Sequence, residues 1–188
     1  MSYSKKIEYE IIPKESFSVI RSCSGCGKKV HYQNTNKFRV NANGNKLDVW
    51  LIYQCEKCKH TLNLTIYERQ KAVSIPKEEY MQFLNNDEQL AEEYGRNLQF
   101  FERNKAEIEF GAYCFVKRHE TEGSSENQQV RIAIRNPYGL KLRPEKQIAE
   151  ALGLSRSSVK RQIEQENIVI ETASPQLLSF AVEKSQIF

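Results

Sequence analysis

"KFRVNANGNKLDVWLIYQCEKCKHTLNLTIY", Lys37–Tyr67, is the stretch that decides the fold, because its apolar residues return every second position. In "LDVWLIYQ", Leu47, Val49, Leu51 and Tyr53 share one face, and Trp50 and Ile52 take the other. In "LNLTIY", Leu62, Leu64 and Ile66 again share a side. A period of two places side chains alternately above and below a pleated strand, so strands are expected here. "NANGN" between Val40 and Lys46 supplies the glycine and asparagine that a tight hairpin requires.

Two cysteine pairs bracket this segment. Cys23 and Cys26 stand in "CSGCG", and Cys55 and Cys58 stand in "CEKC". Two C-x-x-C pairs can supply the four thiolates of a tetrahedral metal site, and Gly27 gives the first pair the freedom a metal knuckle needs. The 28 residues between the pairs exceed the usual spacing of about 15–20, which a long hairpin through "NANGN" accounts for. The expectation is a structural Zn2+ held by Cys23, Cys26, Cys55 and Cys58 in a ribbon of hairpins. A redox C-x-x-C calls for one pair in a strand–helix context, and His60 falls outside the paired spacing. Cys114 reads as a small buried apolar residue, and His31 and His119 have no evident partner.

The same segment is similar to an uncharacterised bacterial family, domain of unknown function 1062. The residues that carry the likeness are "CSGCG" and "KFRVNANGNKLDVWLIYQCEKCKHTLN". The resemblance implies a metal-bearing ribbon and brings no activity with it.

Farther along the chain the period changes. Ser74 and Pro76 can open a short helix with Tyr80, Phe83 and Leu84 on one face. Asp87 can cap a second, where Leu90, Ala91, Tyr94, Leu98 and Phe101 form an apolar stripe. "YEIIP" near the start suggests an edge strand, and "EFGAYCFVKR" and "VRIAIR" suggest two more. The polar loop "HETEGSSENQQ" is the best candidate boundary.

Charge is unevenly spread along the 188 residues. The net charge is +4, yet residues 21–77 carry 11 basic and 3 acidic side chains, residues 78–109 carry 3 and 9, and residues 141–161 carry 6 and 2. Two basic lobes around an acidic middle suit a polyanionic partner. Hydrophobic residues at 39% exclude a disordered chain, and no apolar run reaches the roughly 20 residues of a membrane span. A cytoplasmic protein without membrane contact is expected, since no apolar signal core opens the chain.

The last basic lobe, "LKLRPEKQIAEALGLSRSSVKRQIEQENIVIET", reads as two helices joined at Gly153. Pro144 suits the first turn of one, with Ile148, Ala149 and Leu152 inside. Ser155 caps the other, with Val159 and Ile163 inside. Arg156 and Lys160 share an outward face beside Arg161, and Lys141 and Arg143 precede the first helix. A DNA-reading helix-turn-helix would need a third helix to complete its core, but the neighbours "VRIAIR" and "NIVIET" read as strands. The segment resembles the alpha-L RNA-binding motif through Arg143, Leu152, Gly153, Ser155, Arg156, Lys160, Arg161 and Ile168 to Ile170. It departs at Asn167 and at Ile170 to Thr172, where that motif has glycine-containing turns.

The resulting expectation is an α+β protein in three parts. Residues 1–72 form a zinc ribbon, residues 73–120 a helical segment packed on it, and residues 128–188 an alpha-L-like or helix-turn-helix-like module on a small sheet. Its expected work is non-enzymatic: gripping structured RNA, in preference to DNA, through Lys141, Arg143, Ser155, Arg156, Ser157, Lys160 and Arg161. The ribbon or the acidic middle offers a surface for a protein partner. Paired acids and bases, a phosphate-cradling glycine loop and a nucleophile motif are not evident in the chain.

Overall fold

A computed structural model describes residues 5–122 and 129–183. Its strands are β1 (Lys5–Pro13), β2 (Ser18–Cys23), β3 (Lys28–Asn43), β4 (Lys46–Cys55), β5 (Thr61–Lys71), β6 (Glu107–Glu109), β7 (Tyr113–Glu120), β8 (Gln129–Arg135), β9 (Ile168–Ala173) and β10 (Leu177–Glu183). Its α-helices are α1 (Lys77–Asn85), α2 (Glu88–Gly95), α3 (Leu98–Arg103), α4 (Pro144–Leu152) and α5 (Arg156–Glu164). The chain forms two compact units, one of Pro13–Ala112 and one of Met1–Ile12 with Tyr113–Phe188.

The Pro13–Ala112 unit is built on a sheet of order β5-β4-β3-β2-β6. Gly44, at φ +61, turns β3 into β4, so the "NANGN" hairpin forms where its chemistry requires it. The alternating row Leu47, Val49, Leu51 and Tyr53 is buried, and Leu64 and Ile66 of β5 continue that face. Short helices cover it. Phe101 meets Tyr53 and Phe17 at ring separations of 6.2 and 5.9 Å, and Phe83 meets Phe38 at 5.0 Å. Short polar side chains tie down several of the helix ends. Asp87 and Asn97 cap α2 and α3 by accepting from Leu90 N and Phe100 N. Asn86, left-handed at φ 52, accepts from Phe38 N at 2.7 Å. Asn104 closes the edge of β5, accepting from Thr65 N at 2.7 Å and donating to Thr65 O at 3.0 Å.

The other unit carries the sheet β7-β1-β8-β10-β9. β1 runs parallel to β8, while β10 is antiparallel to both β8 and β9. Ile7, Ile11, Val130, Ile132, Ile134, Leu178 and Phe180 are buried, as are Ile148 and Ala149 of α4 and Val159 of α5. The "NPYG" turn is organised by buried Asn136. Its side chain donates to Leu140 O and Pro175 O and accepts from Leu140 N, so its polar atoms are satisfied.

These findings correct the α+β expectation. The described residues are 48% strand and 25% helix, a mostly β protein with two five-stranded sheets. The helical middle is not a layer of its own, because the stripe from Leu90 to Phe101 is broken. α2 stops at Gly95 and α3 restarts from its own cap at Asn97, so each piece is a short cover over a sheet. Leu84, expected on the inner face of α1, is 48% exposed. "YEIIP" lies in β1, which is flanked by β7 and β8 and is therefore internal rather than an edge. "EFGAYCFVKR" divides into β6 and β7, which belong to different sheets. The boundary expected in "HETEGSSENQQ" falls largely on residues 123–128, outside the described residues. Among the described residues no helix is long and apolar enough to cross a membrane.

Candidate metal centre and cationic notch

Cys23 ends β2 and Cys55 ends β4, and β3 brings them together: it pairs with β2 through Cys23↔Lys28 and with β4 through Tyr32↔Cys55. The two C-x-x-C turns have the same local form. Gly27 N donates to Cys23 O at 2.8 Å, and Lys59 N donates to Cys55 O at 3.1 Å. The residue after each second cysteine is left-handed, Gly27 at φ +66 and Lys59 at φ 61. Glycine makes that conformation easy in the first turn; lysine adopts it in the second at a cost in strain. Gly25 is small for a different reason, since a Cβ there would lie 3.0 Å from Cys58 Sγ.

The four sulfurs lie within 4.8 Å of one another, with Cys23–Cys58 at 3.4 Å and Cys26–Cys55 at 3.7 Å. A tetrahedral metal about 2.3 Å from each thiolate would set sulfurs about 3.8 Å apart, so the donor set fits a metal ion. Tyr32 is buried beside the cluster, and its hydroxyl bond to Cys23 is the largest cause bringing that thiol down to about 6. The backbone N–H of Cys58, 3.5 Å from Cys55 Sγ, lowers Cys55 in the same way. Cys26 is instead pushed up to about 12, chiefly by its bond to Cys58 and by burial, because it holds a proton between neighbouring sulfurs. His60 is not part of the cluster: its Nε2 lies 3.2 Å from Ser24 Oγ, linking the two turns beside the sulfurs. Cys114 is half-buried and donates to Ile12 O at 3.7 Å. His31 has the partner that its sequence context did not reveal, Glu109, at 2.7 Å.

In the other unit, α4 begins at Pro144 after Arg143, and Gly153 at φ 66 allows the turn into α5. Ser155 caps α5 by accepting from Ser158 N at 3.1 Å, and it also bonds Ser157 at 3.0 Å. The opening turns of the two helices enclose a notch of about 310 Å³ lined by Arg143, Glu145, Lys146, Arg156, Ser157 and Lys160. Four cations thus converge with two helix N-termini, both of which favour an anion. Lys141 and Arg161 are exposed but do not line the notch, and Ser155 serves as a cap beside it. Lys146 was missed in the sequence. Its position three residues after Arg143, one helical turn away, was the available signal. It is held over the Tyr113 ring at 5.1 Å, and Tyr113 in turn donates to Glu150 at 2.6 Å.

A family described as "Protein of unknown function (DUF1062)" matches residues 40–174, and the chain belongs to it. No curated protein and no solved structure matches the chain.

Proposed function

We propose that this member of the DUF1062 family is a non-enzymatic, zinc-stabilised RNA-binding protein. In this reading one Zn2+ closes the four-cysteine cluster as a structural ion, because four thiolates leave no position for a reactive water. Soft sulfur donors in a tetrahedral set favour zinc over hard cations. The chain's own part is to bring the thiolates together through the two turns and to lower Cys23 and Cys55 by hydrogen bonding.

The observation that carries the RNA reading is the notch between α4 and α5. Arg143, Lys146, Arg156 and Lys160 present four positive charges where Ser157 can donate to a phosphate oxygen. The alpha-L likeness favours folded RNA, recognised by the contour of its backbone rather than by base sequence. Glu145, which also lines the notch, opposes its positive charge in part.

The test is titration of the full chain and of the Arg156→Ala/Lys160→Ala variant with an RNA hairpin and a DNA duplex at several salt concentrations. Weaker hairpin binding in the variant, with a salt slope reduced by about 0.7–0.9 per lost phosphate contact, is expected. Unchanged hairpin affinity, or preference for the DNA duplex, overturns the assignment. Metal analysis of the purified protein should give one zinc per chain, and another metal or none would refute that part of the reading.

A further inference from the structure

The outer face of the Pro13–Ala112 sheet, opposite its helix-covered core, contains the chain's only tryptophan. Trp50 lies in the middle strand of β3, β4 and β5, directly between Arg39 and Thr65. The next row on the same face is Lys37, Ile52 and Asn63. Trp50 and Ile52 are half-buried, whereas Arg39, Lys37 and Asn63 are exposed. The Arg39 guanidinium stands 6.0 Å from the Trp50 ring centroid. Lys37 and Arg39 are two residues apart on one strand, so they form a short rail of positive charge about 7 Å long beside the ring. Asp48, the acid two residues before Trp50, has Oδ1 occupied by Arg69 N at 2.7 Å.

An aromatic ring on an open sheet, bordered by cations along one strand and by an amide and a hydroxyl on the other, has the chemistry that holds unpaired nucleotides. A base stacks on the ring, phosphates follow the cations, and the polar row meets sugar hydroxyls and base edges. We infer that this face is a stacking platform for single-stranded RNA, with Trp50 carrying a base and Arg39 and Lys37 carrying its phosphates. Asn63 and Thr65 favour RNA by offering hydrogen bonds to the 2′-hydroxyl. The choice of RNA also rests on the function proposed above; the platform itself does not.

Because Trp50 is unique, its fluorescence reports on this face alone. Titration of the full, metal-loaded chain with oligouridylate should quench the emission saturably. The Lys37→Glu/Arg39→Glu variant, which keeps the reporter, should lose affinity by roughly ten-fold or more. Trp50→Phe, followed by fluorescence anisotropy of a labelled oligonucleotide, should retain most of the binding that Trp50→Ala loses. Absence of quenching, indifference to the charge reversal, or tighter binding of oligodeoxythymidylate overturns the inference. Hairpin binding by the Arg156→Ala/Lys160→Ala variant is measured separately, so failure of the platform and failure of the notch give different results. If the anisotropy of the labelled oligonucleotide shows binding that disappears in that variant and persists in Lys37→Glu/Arg39→Glu, the oligonucleotide sits at the notch and the platform is refuted.

Discussion

Gly95 shows how much a single missing methyl group can matter. It closes α2, its carbonyl accepts from Phe17 N at 2.7 Å, and a Cβ there would run into the Ser16 hydroxyl and come within 2.8 Å of Asn34 Nδ2. Asn34 is itself committed to Ser16 and to Ala91 O, so the neighbours cannot withdraw without losing bonds. Gly95→Ala should therefore destabilise the protein by about 1–3 kcal/mol, read from the urea midpoint. Nothing in "EEYGRN" announces this, because the clash is with residues some 60–80 positions earlier. The cysteines are the opposite case. Their spacing alone names the cluster, since each pair needs only its own turn to aim two sulfurs together.

Elements were legible wherever one local rule was sufficient. The burial of Leu47, Val49, Leu51 and Tyr53 follows from alternation, and the α4–α5 turn follows from Gly153 and Ser155. The break between α2 and α3 was harder to read, because the apolar stripe continues across it while the Asn97 side chain begins a new helix. Local polar groups that compete with the helical ladder can end a helix without disturbing its periodicity. The same chemistry gives a prediction for α5. Ser155→Ala removes the acceptor for Ser158 N and should cost about 1 kcal/mol, measured by thermal or denaturant unfolding. The Ser155–Ser157 bond is lost as well, freeing the Ser157 hydroxyl at the mouth of the notch.

At the scale of the whole molecule, the four-cysteine cluster belongs to one unit only. A metal held there would tie the β2–β3 turn to the end of β4, so stripping it should loosen amides of β2 to β5 and leave those of β8 and β10 protected, as read by hydrogen exchange. Acid should have the same effect. Cys23 is depressed from 9.0 to about 6, so in the metal-free chain its contribution is present above pH 9 and lost as pH falls through 6. Cys26 is raised to about 12 and so enters complex formation protonated at pH 8; its proton must leave when a metal binds. Metal retention should thus weaken roughly ten-fold per pH unit for each displaced proton, which a chelator titration at pH 8 and pH 6 will show. The pairing of β1 with β8 had no counterpart in local pattern. "YEIIP" shows that a strand exists, but its partner lies some 120 residues away.

That pairing has a consequence for synthesis. During translation every strand of the β5-β4-β3-β2-β6 sheet has been synthesised once Ala112 is made, whereas Lys5–Pro13 must wait for its two neighbours, Tyr113–Glu120 and Gln129–Arg135. Until then the nascent chain trails an unpaired ribbon with Ile7 and Ile11 uncovered, open to pairing with the same segment of a neighbouring polysome product. Its charged alternation, with Lys6, Glu8 and Glu10 between the apolar residues, is the protection the sequence provides for that interval.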